Sequence, residues 1–328
     1  MGQKGKPARE MAHQYVMAIK AGRMAQRLLE RDQPAAVMGV TSRGIFLHLE
    51  QDWVVFLSSQ PYQGPLTIIV NRPLVGAPVG AAGAVAGGEI RFAGSWVVTG
   101  LETALPWEPL LPPADRQSPE VRLHALRATA ASVLARGRER GLAALLSPLL
   151  DMSPVSAPPV STPPVSAVDP HPAGLVQDLY CALRSAEWQA ALLPAVRLLG
   201  LGSGLTPSGD DLLLGLLLAM SRIQLPGAGA ALNPRLNNFL PAFGNLVVQA
   251  ARDRTNSLSA SLLACAAQGQ ADERLVAALD GLLCGALSPK ACADLLLDWG
   301  SSSGCDALVG MALAILVMDS TWRFEHAI

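Results

Sequence analysis

The sequence predicts an α+β protein, with an N-terminal β-rich domain followed by a mainly helical C-terminal domain that carries glycine-rich loop-to-helix motifs. Three observations lead there. From about residue 35 to 105, short β-branched and aromatic runs alternate with Gly and Pro. From about 173 to 320 the chain is rich in Leu and Ala at helical spacing. Between these textures lies Ser153–Ala167, whose internal PPVS repeat offers few amide donors and no large core side chain. At 328 residues, two packed units are the natural expectation.

The elements follow in order. Residues 8–31 place Met11, Tyr15, Ala18, Gly22, Ala25 and Leu29 on one helical face and Lys20, Arg23, Arg27 and Arg31 on another, which predicts an amphipathic helix with a basic stripe within residues 1–34. The stripe reads either as a solvated face or as an anchor for an anionic surface. Within the β-rich domain, 35–117, the runs Gly44–Leu49, Trp53–Leu57, Leu66–Val70 and Ser95–Val98 are strand candidates, and Glu50-Gln51-Asp52 suggests a hairpin turn. The stretch Val75–Gly88 is so rich in Gly and Ala that it reads as a loop or closely packed turn. Connecting helices are expected over 118–152, opened by Ser118-Pro119-Glu120. An exposed linker, 153–172, then leads to the helical domain, 173–328, which carries the candidate site.

Composition narrows the function classes. Half of the residues are hydrophobic and only 16% are charged, enough apolar material for a large core. The purest apolar runs, Leu212–Met220 and Ala307–Met318, fall short of the roughly 20 residues that span a bilayer, so no membrane partner is expected. A formal charge of -1 makes no electrostatic case for nucleic acid. The five cysteines, Cys181, Cys265, Cys284, Cys292 and Cys305, show no C-x-x-C spacing and read as reduced thiols. The N-terminus carries no signal pattern, and Met1-Gly2 is followed by Lys6 where myristoylation wants Ser or Thr, so a cytoplasmic protein is expected.

Chemistry concentrates at Leu199–Gly215, LGLGSGLTPSGDDLLLG. Gly200, Gly202, Gly204 and Gly209 let a ligand approach the main chain, while Thr206 can cap the helix that Pro207 and Ser208 open. Such a helix start presents unpaired amides to an anion. Asp210 follows Gly209 where a phosphate loop would carry Lys, which disfavours ATP. Asp210 and Asp211 both complement the helix end. Their side chains point about 100° apart, however, so one can serve the helix and leave the other for a metal, an amide N–H or a proton.

An offset of 95 residues lays Ser208, Gly209, Asp211, Leu213, Gly215 and Leu218 on Ser303, Gly304, Asp306, Leu308, Gly310 and Leu313. The shared pattern is S-G-x-D-x-L-x-G-x-x-L. It predicts either two helix starts that face one cleft or two capped ends left by an old duplication. The second copy follows Ser301 and Ser302 and begins at Ser303, and Gly300–Gly304 formally matches a nucleophile elbow. The preceding Ala291–Trp299 reads as helix, however, and the downstream His326 stands at the chain end. His13, His48, His124 and His171 share no metal spacing, and no metal is expected. Arg252, Asp253, Arg254, Thr255, Asn256, Ser257 and Ser259 form a polar patch that suits phosphate or carboxylate, or a helix cap with surface arginines.

On these residues the chain resembles the AllH-like family, the smallest of three subunits of the oxamate carbamoyltransferase of anaerobic allantoin breakdown. GLGSGLTPSGDD at 200–211 is the most specific part. Thr255–Ser259, the Gly300–Asp306 loop, Gly39, Gly64-Pro65 and Trp107-Glu108-Pro109 support it, and Ser301 stands where the family usually carries His. The resemblance implies carbamoyl transfer between carbamoyl phosphate and oxamate or a related carbamoyl acceptor, small anionic carbamoyl or amide substrates, two larger partner subunits and no cofactor. On that reading Asp210, Asp211 and Asp306 are catalytic candidates, with Asp210 or Asp211 orienting or deprotonating the attacking amide. Arg252 or Arg254 would neutralise phosphate or carboxylate. Gly202, Gly204, Thr206, Ser208, Gly209, Thr255, Asn256, Ser257, Ser302, Ser303 and Gly304 complete the substrate contacts. A scaffold subunit that completes another chain's site is the alternative.

Overall fold

A computed structural model describes residues 14–74, 76–92, 96–113, 115–137, 141–151, 171–185, 187–225 and 234–325; the expected linker 153–167 lies outside them. The chain divides into two compact units, Met1–Glu108 and Pro109–Ile328.

The first unit contains β1 (Gln14–Gly22), α1 (Arg23–Leu28), β2 (Gln33–Thr41), β3 (Gly44–Leu49), β4 (Val54–Ser58), β5 (Thr67–Val70), β6 (Ala82–Ala86), β7 (Glu89–Phe92), β8 (Trp96–Thr99) and β9 (Leu105–Trp107). Hydrogen bonding runs β5-β4-β3-β2-β6-β7-β8-β1, and β1 pairs back onto β5, so eight strands close into a barrel with β9 added beside β1. The expected α+β fold with a β-rich domain is corrected by this closure. It depends on the antiparallel register Ala18 with Val70 and Ala21 with Ile68, a pairing of residues some fifty positions apart that no local pattern encodes.

The N-terminal helix expected over 8–31 is corrected as well. Among the described residues of that stretch, 14–22 are strand and Arg23–Leu28 alone are helical. Apolar side chains occupy both faces of β1. Val16 and Ala18 are buried while Tyr15, Met17 and Ile19 are exposed, and this two-sided pattern also satisfies a helical period. The loop expected over Val75–Gly88 contains β6, whose small residues pack closely: a Cβ at Gly83 would lie 2.7 Å from the Phe92 ring. The hairpin expected at Glu50–Asp52 is present, joining antiparallel β3 and β4. Ile45, Leu47 and Leu49 of β3 are buried in the alternation a barrel wall requires.

The second unit is helical: α2 (Pro119–Gly137), α3 (Leu146–Asp151), α4 (Pro172–Arg184), α5 (Trp188–Leu198), α6 (Ser208–Gln224), α7 (Pro234–Arg254), α8 (Ser257–Ala266), α9 (Glu273–Cys284), α10 (Pro289–Asp298) and α11 (Ser303–Glu325). Helices α6 and α11 are its centre. Every side chain from Leu212 to Met220, and from Cys305 to Ile315, is buried, as expected of helices that are apolar all round.

Glycine sets how closely these two helices meet. A Cβ at Gly215 would lie 2.0 Å from the Ala307 carbonyl oxygen, and one at Gly310 would lie 1.9 Å from the Leu212 carbonyl oxygen. Residues 212 and 307, like 215 and 310, are related by the 95-residue offset, so the contact is reciprocal about a local two-fold. The helix starts repeat the device: a Cβ at Gly209 would meet the Leu198 carbonyl oxygen of α5 at 2.0 Å, and one at Gly304 the Leu296 carbonyl oxygen of α10 at 1.8 Å. Arg222 closes the other end of α6, with two bonds to Asp280 and one each to the Gly269 and Leu110 carbonyls.

Candidate functional site

The crossing of α6 and α11 brings the two matched loop-to-helix starts together. In the first, α5 ends at Leu198 and the chain turns through Gly200, Gly202 and Gly204, all at positive φ. Gly200 needs its missing side chain, because a Cβ there would lie 2.6 Å from the Arg254 carbonyl oxygen at the end of α7. The Gly200 amide donates to Asp210 Oδ1 at 2.8 Å, and the Thr255 hydroxyl donates to Asp210 Oδ2. Asp210 therefore ties the loop to the α7–α8 junction. Burial raises its pKa, against the pull of Thr255, Gly200 and Ser259. The Ser259 hydroxyl acts on it by proximity, since it closes no hydrogen bond.

Asp211 points elsewhere, as the 100° rotation between neighbouring helical side chains requires. The Thr206 hydroxyl donates to its Oδ2 at 3.0 Å and lies 3.2 Å from the Ser303 hydroxyl, which also serves Asp211. Asp306 mirrors it, with hydroxyls from Ser208 and Ser302 and the Leu142 amide on its Oδ1. Each acid thus faces the first serine of the other copy's helix, Asp211 with Ser303 and Asp306 with Ser208. Burial pushes Asp211 up to about 8, with Asp306 and Asp210 adding to the rise and the two hydroxyls opposing it. Burial likewise raises Asp306 to about 6, opposed by the Leu142 amide and its two serines.

Exposure separates two layers. Asp210, Asp211 and Asp306 are 2%, 1% and 0% exposed. Thr206, Ser208, Ser302 and Ser303 are half-buried, and Gly202 to Leu205 are exposed. A ligand arriving from solvent would meet hydroxyls and the glycine loop, with the acids behind them. The helix-start amides are largely engaged already: Gly209 donates to the Leu201 carbonyl at 2.8 Å, and Asp210 and Asp211 to that of Pro207. In the second copy Gly304 donates to the Trp299 carbonyl, and Cys305 and Asp306 to that of Ser302.

The remaining candidates lie around this centre. Asn256 caps α8, accepting the Ser259 amide, and its side chain donates to the Leu205 carbonyl, so it fastens the loop tip. Ser257 opens α8 behind it. Arg252 and Arg254 reach the loop through the Arg254 carbonyl, while their side chains are exposed. The nucleophile-elbow spacing at Gly300–Gly304 follows helix α10, and the strand that motif needs is not there. Among the described residues no three His, Cys, Asp or Glu side chains converge as metal ligands, and no helix is long and apolar enough to cross a membrane. Among the described residues none of the five cysteines forms a disulfide.

Sequence reasoning missed Gly141 and Leu142. A Cβ at Gly141 would lie 2.2 Å from Asp306 Oδ1, and the next amide caps that oxygen. An isolated glycine before an apolar run is the only local signal, and it is common to many helix starts. A separate cavity of about 340 Å³ in the barrel unit is lined in part by Gln26, Glu30 and Glu102, and holds none of the candidates.

Residues 198–315 match the model of a family described as oxamate carbamoyltransferase subunit AllH, so the resemblance holds over α6 to α10, most of α11 and both loops. No curated protein and no solved structure matches the chain.

Proposed function

We propose that the chain is a subunit of a carbamoyltransferase complex that interconverts carbamoyl phosphate and oxamate with oxalurate and phosphate, alongside two larger subunits. The observation that carries this reading is the place of the family match: it covers both reciprocal helix starts and the polar patch at 252–259. In such a transfer the amide nitrogen of oxamate attacks the carbonyl carbon of carbamoyl phosphate, the bond from that carbon to the phosphate oxygen breaks, and the nitrogen gives up a proton. The rate would come from holding two anions in line and stabilising charge on the carbonyl oxygen. Because the acids are sealed in, Asp211 and Asp306 would act through Thr206, Ser208, Ser302 and Ser303. The exposed Arg252 and Arg254 would supply positive charge for phosphate or carboxylate.

A scaffold role is the second reading, favoured by the helix-start amides that are already spent on main-chain carbonyls. Co-purification of the chain with its neighbours, followed by assay of oxalurate formation, separates the two. The catalytic reading expects Asp211→Asn to cut turnover at least tenfold while the complex still assembles. Unchanged turnover would leave only the scaffold role.

A further inference from the structure

The loop ahead of α6 exposes donors that the protein itself leaves unused. From Gly200 to Gly204 every second residue is a glycine at positive φ, +75, +115 and +109, while Leu201 and Ser203 between them are not. Backbone that alternates in the sign of φ is how successive N–H groups come to line one anion-binding concavity. The loop already does this once, since its first amide, that of Gly200, donates to a carboxyl oxygen, Asp210 Oδ1, at 2.8 Å. The Leu201 amide goes to the Leu198 carbonyl. The next four amides, those of Gly202, Ser203, Gly204 and Leu205, donate to no group among the described residues, and all four residues are exposed. This count owes nothing to the start of α6, whose amides from Gly209 to Asp211 are engaged.

Positive charge stands beside the loop on a separate element. A Cβ at Gly200 would lie 2.6 Å from the Arg254 carbonyl oxygen, and the Asn256 side chain donates to the Leu205 carbonyl at 3.0 Å, so both ends of the loop are fixed to the α7–α8 junction. That junction carries Arg252, Asp253 and Arg254, all exposed, two cations against one carboxylate. Among the described residues neither arginine forms an ion pair. The acid behind Thr206 does not repel an anion at neutral pH, because burial pushes Asp211 up to about 8. A carboxylate offers two oxygens to this surface and a phosphoryl group three, which the free amides, the Ser203 hydroxyl and an arginine fork can serve together.

We propose that the amides of Gly202, Ser203, Gly204 and Leu205, with Arg254, form a phosphate subsite that takes the phosphoryl group of a small acyl phosphate and prefers it to a planar carboxylate. The assignment rests on the carbamoyl-transfer reading and deepens it. The loop seats the phosphoryl end of carbamoyl phosphate, free phosphate leaves from the same place, and the carboxylate of oxamate is left to other groups.

Calorimetric titration of the full chain with inorganic phosphate, and separately with oxamate, tests it. Phosphate should bind about tenfold more tightly than oxamate. Gly204→Ala, which moves the loop backbone off its positive φ, and Arg254→Gln should each weaken phosphate binding by about tenfold, and Arg254→Lys, which keeps the charge, should recover part of that loss. Lys290→Gln removes an equal charge from an exposed residue elsewhere in the helical unit and should leave the affinity unchanged. Melting curves without ligand identify any variant that fails to fold, and the exposed Arg254 keeps the test decisive if Gly204→Ala is one of them. Three results overturn the assignment: no phosphate binding by the unaltered chain, oxamate bound as tightly as phosphate, or a phosphate affinity that Arg254→Gln and every folded loop variant leave intact. Oxalurate formation by the co-purified complex is measured separately. Turnover by a complex whose loop holds no phosphate removes this subsite alone, and phosphate held by the loop in a complex that forms no oxalurate removes the transfer reading alone.

Discussion

The two loop-to-helix copies share one backbone device and differ in what surrounds it. In both, the first glycine lets the helix start sit on the carbonyl of a preceding helix, and the second lets α6 and α11 cross at backbone contact. In both, the acid two residues after the first glycine takes the other copy's opening serine. The differences lie outside that device. The first copy has a longer, exposed glycine loop and an additional acid, Asp210, while the equivalent position in the second copy is the buried Cys305. The second copy's acid is capped by the Leu142 amide. Packing constrains the shared residues of both copies, while the loops ahead of them differ in length: Gly202–Leu205 is exposed in the first and Gly300–Ser301 in the second.

The largest test of this symmetry is steric. Gly215→Ala and Gly310→Ala each push a methyl group into a carbonyl that cannot move without its helix, so each should cost about 3 kcal/mol or prevent folding. Denaturant unfolding should give the two losses as near equals, and a tolerant Gly310 would mean the crossing is not reciprocal.

Protonation should distinguish the copies next. An unfolded Asp releases its proton near 3.8, whereas folded Asp211 holds its proton to about 8 and Asp306 to about 6. The folded state therefore binds more protons between those values, and stability should fall as pH rises, by at most roughly 1.4 kcal/mol per unit for each acid. Asp306→Asn should flatten the slope only below about pH 6, and Asp211→Asn should flatten it up to about 8. Unfolding measured from pH 4 to 9 checks both, and identical profiles for the two variants would break the comparison.

Thr255→Val should cost less, about 1–2 kcal/mol, by removing one of the hydrogen bonds that the Asp210 carboxyl accepts from Gly200 and Thr255, while leaving the second copy untouched. Gly204→Ala should cost about 1 kcal/mol: φ is +109 there, but a Cβ would meet nothing closer than the Thr206 carbonyl oxygen at 3.9 Å. Both are readable as shifts in melting temperature. A Gly204→Ala loss as large as that of Gly215→Ala would show that the exposed loop bears on the core.

Much of the helical unit was legible in the sequence because its signals are local. The S-G-x-D-x-L-x-G-x-x-L repeat marked both helix starts, since glycine at a backbone contact leaves a trace that no neighbour can disguise. Ser118 and Pro119 likewise announced α2, whose first residue is Pro119. Strand β1 carries a helical signal in the sequence because Tyr15, Met17 and Ile19 put apolar side chains on its exposed face, which blurs the period-two signal.

The sequence by itself determined which residues could meet: acids one turn inside two glycine-opened helices, with serines and a threonine just ahead of them. Tertiary structure decided the rest. The exchange of serines between Asp211 and Asp306, the sealing of all three acids behind half-buried hydroxyls, and the Leu142 cap on Asp306 all depend on the α6–α11 crossing. Barrel closure by β1 on β5 is of the same kind. Burial and long-range pairing are properties of where other segments pack, and desolvation by those segments is what raises the acids' pKa values.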